Sequence, residues 1–402
     1  MVADRMNILL LSDVYFPRVN GVSTSIQTLR EALLAAGHEV TLVVPRYGDE
    51  ADEPGIVRVP GRKLAFDPED RLMHWRKLMK TLHGLPGRYD VVHIHTPFFA
   101  HYAGLRYAKR MGLPVMETYH TLFEEYFYLY LPVLPRAWLK RLARTISSRQ
   151  CNQLDAVVAP SEPMLKALRG YGVHQPVEII PTGMPQAIFA EASGAGFRGR
   201  HGIAPQRPML LFVGRVAYEK NIGFLLQMMA SLRQSQPEAC LVIAGEGPAE
   251  EALRREAEAL GLAESVRFVG YLDRGGELLD CYRAANLFVF ASRTETQGLV
   301  LLEAMAQGTP VVALAEMGTK DVLKEGEGCR IAPDDPEAFA RLVAELLMLP
   351  GELAALSVKA VNYAHGWRAD RMAARMVEVY DRLALGEPAA FPADAACAGD
   401  SA

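Results

Sequence analysis

Apolar residues along this chain fall into short unbroken runs separated by amphipathic stretches. Asn7-Ile-Leu-Leu-Leu-Ser12 and the segments 39–44, 90–95, 114–118, 156–159 and 177–180 are short and rich in Val, Ile and Leu. That pattern is expected of parallel strands buried on both faces. Between most of them apolar positions recur at helical spacing, as at 22–36, 98–111 and 161–170. Strand and helix in alternation predict a parallel sheet with helices on both faces. The pattern then restarts, with strands over 209–213, 240–244, 266–269, 286–290 and 310–314 and helices between them. The predicted fold class is α/β, two doubly wound parallel-sheet domains in tandem. Such a pair places a ligand cleft between the carboxyl ends of two sheets.

The segment 183–207 is rich in Gly, Ala and Pro and weakly periodic, so it reads as an interdomain linker. Domains are therefore expected at 1–185 and 186–366, followed by a helix over 367–385 after the break at Gly366. Residues 386–402 form an Ala/Pro/Asp tail with little to bury, and disorder is expected there. The length of 402 residues exceeds one typical core and agrees with two domains.

Composition narrows the class. No apolar run approaches the ~18 residues of a membrane span, and the start lacks the apolar stretch of a signal peptide. Cys151, Cys240, Cys281, Cys329 and Cys397 are scattered and include no C-x-x-C pair. A reducing, cytosolic setting without structural zinc is the expectation. The net charge of −4 conceals an asymmetry: residues 1–185 carry 22 Lys+Arg against 18 Asp+Glu, or +4, and the remainder 21 against 29, or −8. A basic first half suggests an anionic partner. No nucleic-acid motif is visible, and a membrane surface fits better.

The chemistry concentrates in Arg293-Thr-Glu-Thr-Gln-Gly-Leu-Val-Leu-Leu-Glu-Ala-Met-Ala-Gln-Gly-Thr-Pro-Val-Val-Ala313. It reads as a loop and a helix between two strands, with Gly298 at the helix mouth. A helix N-terminus offers free N–H groups and positive dipole to phosphate. Glu295 lies outside that mouth and Glu303 more than a turn inside. Carboxylates on both sides of a phosphate site suit a nucleotide-sugar, one for the sugar hydroxyls and one for the ribose diol. The bare spacing, in a chain with 47 acidic residues, would ordinarily mean two solvated charges.

Gly214-Arg-Val-Ala-Tyr-Glu-Lys-Asn221 follows a strand, and Arg215 with Lys220 could meet the charge of a leaving diphosphate. Gly21, in Asp13-Val-Tyr-Phe-Pro-Arg-Val-Asn-Gly-Val-Ser23, would let backbone approach a diphosphate. Gly245-Glu-Gly-Pro-Ala-Glu250 imitates half of a dinucleotide fingerprint, but Glu250 replaces the third glycine. No P-loop lysine motif and no Asp-x-Asp metal motif occurs. His120 follows a strand, where a lone histidine is more often structural. His93 and His95 alternate along a strand and also read as structural, with no third metal ligand in view. Finally, 136–149 carries Arg136, Lys140, Arg141, Arg144 and Arg149 without an acid, and Trp138, Leu142 and Ile146 at four-residue steps. Such a helix suits an anionic lipid surface or a core-facing stripe with solvated cations. Phe123, Tyr126 and Tyr128 just upstream could line an acceptor groove.

Three of these strings, 117–126, 214–221 and 293–313, resemble the signatures of retaining nucleotide-sugar glycosyltransferases of family four, the E-x7-E enzymes. The resemblance implies the GT-B fold, two Rossmann-like domains with a last helix crossing back onto the first. It also implies roles. Glu295 would bind sugar hydroxyls, Glu303 the ribose diol, Arg215 and Lys220 the diphosphate, and His120 the sugar. Gly21, Gly214, Gly245, Glu246, Gln297, Gly298, Leu299 and Val300 would complete the donor site, with Gly245-Glu246 facing the base. Many members have a second glycine where Asn20 stands.

Within the family, the motifs look most like bacterial diacylglycerol glucosyltransferases. That implies UDP-glucose as donor, a membrane lipid as acceptor, no required metal or other cofactor, and peripheral attachment to the inner face of the cell membrane. The nearest rival is a GDP-mannose-dependent transferase making a phosphoinositide, lipopolysaccharide or exopolysaccharide intermediate. A nicotinamide-dependent oxidoreductase would need the missing fingerprint, and a silent sugar-nucleotide binding module would bind without turnover. The sequence does not give the oligomeric state.

Overall fold

The computed structural model describes residues 5–63, 71–120, 136–274, 276–295 and 297–386. It divides into two compact units, Met1–Gly183 with Ala369–Ala402, and Met184–Arg368.

The first unit holds strands β1 (Asn7–Leu11), β2 (Glu39–Arg46), β3 (Ile56–Lys63), β4 (Arg71–Met73), β5 (Val91–Ile94), β6 (Val115–Thr118), β7 (Ala156–Ala159) and β8 (Val177–Ile179). They form one sheet in the order β4-β3-β2-β1-β5-β6-β7-β8, parallel except where β4 runs against β3. The sequence did not announce β3 and β4. Pro60 and Gly61 interrupt β3 and read as breakers, yet they sit where the strand leaves β2 and begins to pair with β4, near the sheet edge, where Pro is tolerated.

Alternate residues of β1 face opposite sides. Leu9 and Leu11 join a core with helices α2 (Trp75–His83), α3 (Phe99–Met111) and α5 (Glu162–Gly170), and with Cys151 of α4 (Arg136–Cys151). Ile8 and Leu10 join a core with α1 (Gly21–Ala35) and the last helix, Ala369–Ala384. That helix buries Ala373, Met376, Val377, Val379, Tyr380 and Leu383. At roughly 1.5–3 kcal/mol for each large apolar side chain, it is an integral part of this unit.

The second unit has six strands, β9 (Met209–Val213), β10 (Cys240–Ala244), β11 (Val266–Gly270), β12 (Leu287–Phe290), β13 (Val311–Ala313) and β14 (Cys329–Ile331). Their order β11-β10-β9-β12-β13-β14, all parallel, is that of a doubly wound nucleotide-binding sheet. The three-residue β14 is too short to stand out in the sequence.

The expected linker is not one. From Met184 onward the chain is folded into this unit, through a 3-10 turn at Gln186–Phe189 and helix α6 (Gly194–Arg200). Phe197 is fully buried. Arg198 is buried as well, its guanidinium donating to Ala284 O (2.9 Å), Ala204 O (3.0 Å), Arg207 O (2.8 Å) and Asn286 Oδ1 (2.9 Å). The glycines that suggested flexibility serve packing: a Cβ on Gly194 would lie 2.6 Å from Arg283 O. The chain enters and leaves the unit side by side, with Met184 N donating to Trp367 O at 2.8 Å.

A line of polar groups crosses the first unit's sheet. Within it, His93 Nδ1 lies 2.7 Å from the Tyr380 hydroxyl, and His93 Nε2 2.8 Å from Thr118 Oγ1. Burial pushes His93 down to about 3, His95 well below its ordinary value, and His120, just past β6, down to about 4. Asp13 accepts from the Thr96 hydroxyl (2.8 Å) and from Ala100 N in the first turn of α3 (3.0 Å). Burial pushes it up to about 7.

These shifts set a pH dependence. Below the ordinary histidine value of 6.5 the unfolded chain takes up protons that the folded histidines refuse, so stability falls as pH drops from about 6.5 toward 4. Asp13 works the other way, since its folded form keeps a proton that the unfolded chain releases above 3.8, a contribution lost as pH rises toward 7. Three histidines outweigh one aspartate, at about 1.4 kcal/mol per pH unit for each group that resists titration. Urea unfolding of the first unit is therefore expected at a lower midpoint at pH 5 than at pH 7. An equal or higher midpoint at pH 5 would contradict the neutral burial of these rings.

Candidate functional site

The strand order of the second sheet reverses between β9 and β12, and loops from the carboxyl ends of such neighbours flank the natural ligand crevice. Three loops meet there, Gly214–Asn221 after β9, Gly245–Ala249 after β10 and Ala291–Gly298 after β12. The first two interlock through backbone: Gly214 N donates to Ala244 O (3.0 Å), Val216 N to Glu246 O (2.9 Å) and Ala249 N to Val216 O (3.0 Å). Gly245 has φ +134°, and a Cβ there would sit 1.9 Å from Gly214 O. The partial dinucleotide fingerprint thus has a packing cause. Glu246 Oε1 accepts from Tyr271 N at 3.4 Å.

Asn221 ties the first loop to the third. It is left-handed at φ 55°, and its Nδ2 donates to Ala291 O at 3.1 Å. Lys220, ending a short 3-10 turn at Tyr218–Lys220, is thereby delivered to the third loop, where Nζ lies 2.5 Å from Glu295 Oε1. The two side chains are only 21% and 16% exposed. Glu295 is held by its own backbone too, its carbonyl accepting from Gly318 N at 2.9 Å. The Arg215 side chain is exposed and makes no hydrogen bond or ion pair with the described residues.

Helix α10 (Leu299–Ala306; α7 is Ile222–Leu232, α8 Glu250–Ala259 and α9 Glu277–Ala284) opens at Gly298, with φ +84°. A Cβ at that position would press on Thr319 Cγ2 at 3.1 Å, so glycine is demanded twice over. Leu299 and Val300 form the first turn, whose N–H groups have no intrahelical acceptor, and Gln297 is buried beside them. Glu303, further in, has both oxygens engaged: Oε1 with Arg274 Nη2 at 2.8 Å and Oε2 with the Tyr282 hydroxyl at 2.7 Å. The Glu303 charge holds Arg274 above its ordinary value, and burial raises the Tyr282 hydroxyl well above its own. Sequence reasoning missed both partners. Arg274 is one of 43 basic residues in an ordinary loop, and Tyr282 reads as the apolar face of its helix.

Gly21 and His120 belong to the first unit. Gly21 is the first residue of α1, and the Asn20 side chain caps that helix by accepting from Ser23 N at 2.8 Å. Where a glycine would leave the N–H groups open to a ligand, Asn20 takes one of them. His120 Nε2 lies 3.0 Å from His95 Nδ1, and the His95 ring is 4.1 Å from that of His93. A pocket beside them is lined by Ser25, Thr28, His95, Thr118, His120 and Thr182, among others. Among the described residues no three His, Cys, Asp or Glu side chains cluster as metal ligands would.

Phe123, Tyr126 and Tyr128 lie outside the described residues. Arg136 opens α4, in which Ala143, Ser147, Gln150 and Cys151 are buried. Of the stripe expected from the sequence, Leu142 and Ile146 are half-buried and Trp138 is 54% exposed. Lys140 is half-buried, and Arg141 and Arg144 are exposed. Helices α2, α3 and α4 pack on the same side of the sheet. They carry three, three and five basic residues, eleven in all, and no acid. Trp75, Phe98, Tyr102 and Met111 are exposed on or beside them. No helix among the described residues is long and apolar enough to cross a membrane.

Two family models match, Glycosyltransferase Family 4 over residues 19–186 and Glycosyl transferases group 1 over 196–364. An alpha-monoglucosyldiacylglycerol synthase of Streptococcus pneumoniae is 35% identical over 323 residues, 77% of this chain and 71% of the relative. A D-inositol 3-phosphate glycosyltransferase of Thermobispora bispora is 34% identical over 73% of this chain and 71% of its own length. Among solved structures, Anabaena HepE in complex with UDP aligns with a TM-score of 0.73 at 17% identity, over 94% of this chain and all of that one. The two doubly wound units, the site at the second sheet's reversal point and both family matches agree: the chain belongs to the GT-B glycosyltransferases, with a Glycosyltransferase Family 4 domain followed by a group 1 domain.

Proposed function

We propose that this enzyme transfers glucose from UDP-glucose to the hydroxyl of a diacylglycerol-type membrane lipid, with retention at the anomeric carbon. The observation that carries the donor half is the meeting of Lys220 and Glu295, 75 residues apart in sequence, at the reversal point of the second sheet beside the open end of α10. Cation, helix N-terminus and carboxylate in one place suit a diphosphate joined to a sugar. In this reading Arg215, Lys220 and the first-turn N–H groups around Gly298, Leu299 and Val300 take the diphosphate, which leaves no charge that a divalent metal must neutralise. Glu295 accepts hydrogen bonds from the sugar hydroxyls. Glu303 accepts from the ribose diol through lone pairs left over from Arg274 and Tyr282, since a carboxylate has about four acceptor positions. Gly214, Gly245, Glu246 and Gln297 shape the surrounding backbone.

As the bond from the anomeric carbon to the diphosphate oxygen breaks, negative charge grows on that oxygen, and fixed cations stabilise it most at that moment. The acceptor hydroxyl forms its new bond on the same face and passes its proton to the departing phosphate oxygen. No separate base is required.

The acceptor half rests on two supports, the name of the Streptococcus relative and the first unit's basic helix layer. Exposed cations with aromatic side chains at their edges suit an anionic lipid surface. We infer that α2, α3 and α4 rest on the membrane that holds the acceptor, with Arg136, Trp138, Lys140, Arg141 and Arg144 in contact and Phe123, Tyr126 and Tyr128 near the lipid.

Incubation with UDP-glucose and diacylglycerol vesicles should yield glucosyldiacylglycerol by mass analysis, with GDP-mannose as the competing donor. Lys220→Ala should lower kcat/KM by about 100-fold or more, as expected for a cation acting on developing charge, and Glu295→Ala should lower it too, by removing the acceptor of the sugar's hydrogen bonds. Transfer unchanged in both variants would remove them from the site, and a mannosylated product would overturn the donor assignment.

The chain should also co-sediment with vesicles containing phosphatidylglycerol, less so as salt rises. At about 1 kcal/mol per basic residue, Arg141→Glu with Arg144→Glu should weaken binding by more than ~30-fold. Binding indifferent to anionic lipid and to salt would contradict the membrane face.

A further inference from the structure

Lys220 and Glu295 are each other's counter-ion in this structure, at 2.5 Å and largely shielded from solvent. Neither can bind a ligand's charge fully while the contact holds. Their loops are fixed: Asn221 Nδ2 is bonded to Ala291 O, Lys220 N donates to Ala217 O at 3.0 Å, and Glu295 O accepts from Gly318 N. What can change is the side-chain pairing. We propose that Glu295 acts as a resident counter-ion for Lys220 that an intact nucleotide-sugar replaces without loss and a free nucleoside diphosphate replaces only at a loss, so that the site favours substrate over nucleotide product.

The inference rests on the nucleotide-sugar reading of this site. A diphosphate that takes Lys220 strips Glu295 of its partner. An intact nucleotide-sugar then brings hydroxyl donors to the freed carboxylate, and every group ends paired. A nucleoside diphosphate brings no such donor. Its terminal phosphate also carries extra negative charge where the sugar would have been attached, close to a shielded and now unpaired carboxylate. Leaving one member of a shielded pair without its partner is the costly outcome, because desolvation of the remaining charge is no longer offset. Repulsion between the two anions adds to it. After transfer the reverse exchange helps expel the product, as Lys220 returns to Glu295. Glu295 would thus set the order of preference among nucleotides as well as touch the sugar.

The test is calorimetric binding of UDP and UDP-glucose to the full chain and to Glu295→Gln, with GDP and GDP-mannose in parallel and the comparison read on whichever pair binds. Glutamine keeps the shape and removes the charge. Glu295→Gln should bind the free diphosphate about 10-fold more tightly than the wild type and the nucleotide-sugar no more tightly, so the preference for substrate shrinks. In a Lys220→Met background the same Glu295→Gln change should give a smaller gain, since only the repulsion between carboxylate and phosphate is left to relieve. Thermal unfolding of each variant checks that the fold is retained, and Glu295→Asp gives a second, charge-retaining comparison that should not tighten diphosphate binding.

If the wild type binds a diphosphate and Glu295→Gln binds it equally or less tightly, the counter-ion role is wrong while the nucleotide site stands. If Glu295→Asp tightens binding as much as Glu295→Gln, charge is not the cause and the role is again wrong. If no nucleotide or nucleotide-sugar binds the wild type, the site reading fails and this inference with it.

Discussion

The contact between Lys220 and Glu295 is possible because two loops from different strands are locked together before either side chain is considered. Asn221 accepts a left-handed backbone and reaches across to Ala291 O, while Gly318 N holds the carbonyl of Glu295. Behind them, the loop after β10 packs backbone on backbone against the loop after β9, at a closeness only glycine permits at position 245. The sheet supplies the reason these loops are neighbours. Its strand order reverses between β9 and β12, so their carboxyl ends open side by side. Glycine, asparagine and strand order fix the place, and lysine and glutamate supply the charge.

Glu303 shows a different kind of constraint. A carboxylate on the buried side of a helix must be paired or neutralised, and here Arg274 and the fully buried Tyr282 hydroxyl hold it in place. Any ligand that uses Glu303 meets a carboxylate already oriented by two donors, which favours a small, well-placed partner such as a diol over a second cation. In the first unit the histidines form a comparable preset arrangement. His93 is anchored to Tyr380 and Thr118, and His95 braces His120. Strand residues that read individually as structural thus support the histidine that the motif marks.

Much of the fold could be read in the sequence because parallel strands buried on both faces have to be written as unbroken apolar runs, as in Asn7–Leu11 or Met209–Val213. The reading failed where local chemistry misleads. Pro60 and Gly61 hid β3, the strand next to the sheet edge, and Gly194 suggested a flexible linker where it allows close packing against Arg283 O. The site residues that carry motifs, Lys220, Glu295, Gly298 and Glu303, stood out by their strings. Their partners did not. Lys220 and Glu295 are 75 residues apart, Arg274 and Glu303 29, and His95 and His120 25. Spacing along a chain carries no record of such meetings, which depend on the order of strands in a sheet.

In the proposed site the donor engages Lys220 and Glu295 as one unit. A double-mutant cycle on kcat/KM with UDP-glucose, using Lys220→Ala, Glu295→Ala and the combined variant, tests it most directly. Lys220→Ala alone leaves a shielded carboxylate facing the diphosphate, and the second substitution relieves that repulsion. The combined variant should therefore lose far less than the sum of the two single losses in free energy. Additive losses, within about 0.5 kcal/mol, would mean that the two residues act independently and would contradict it.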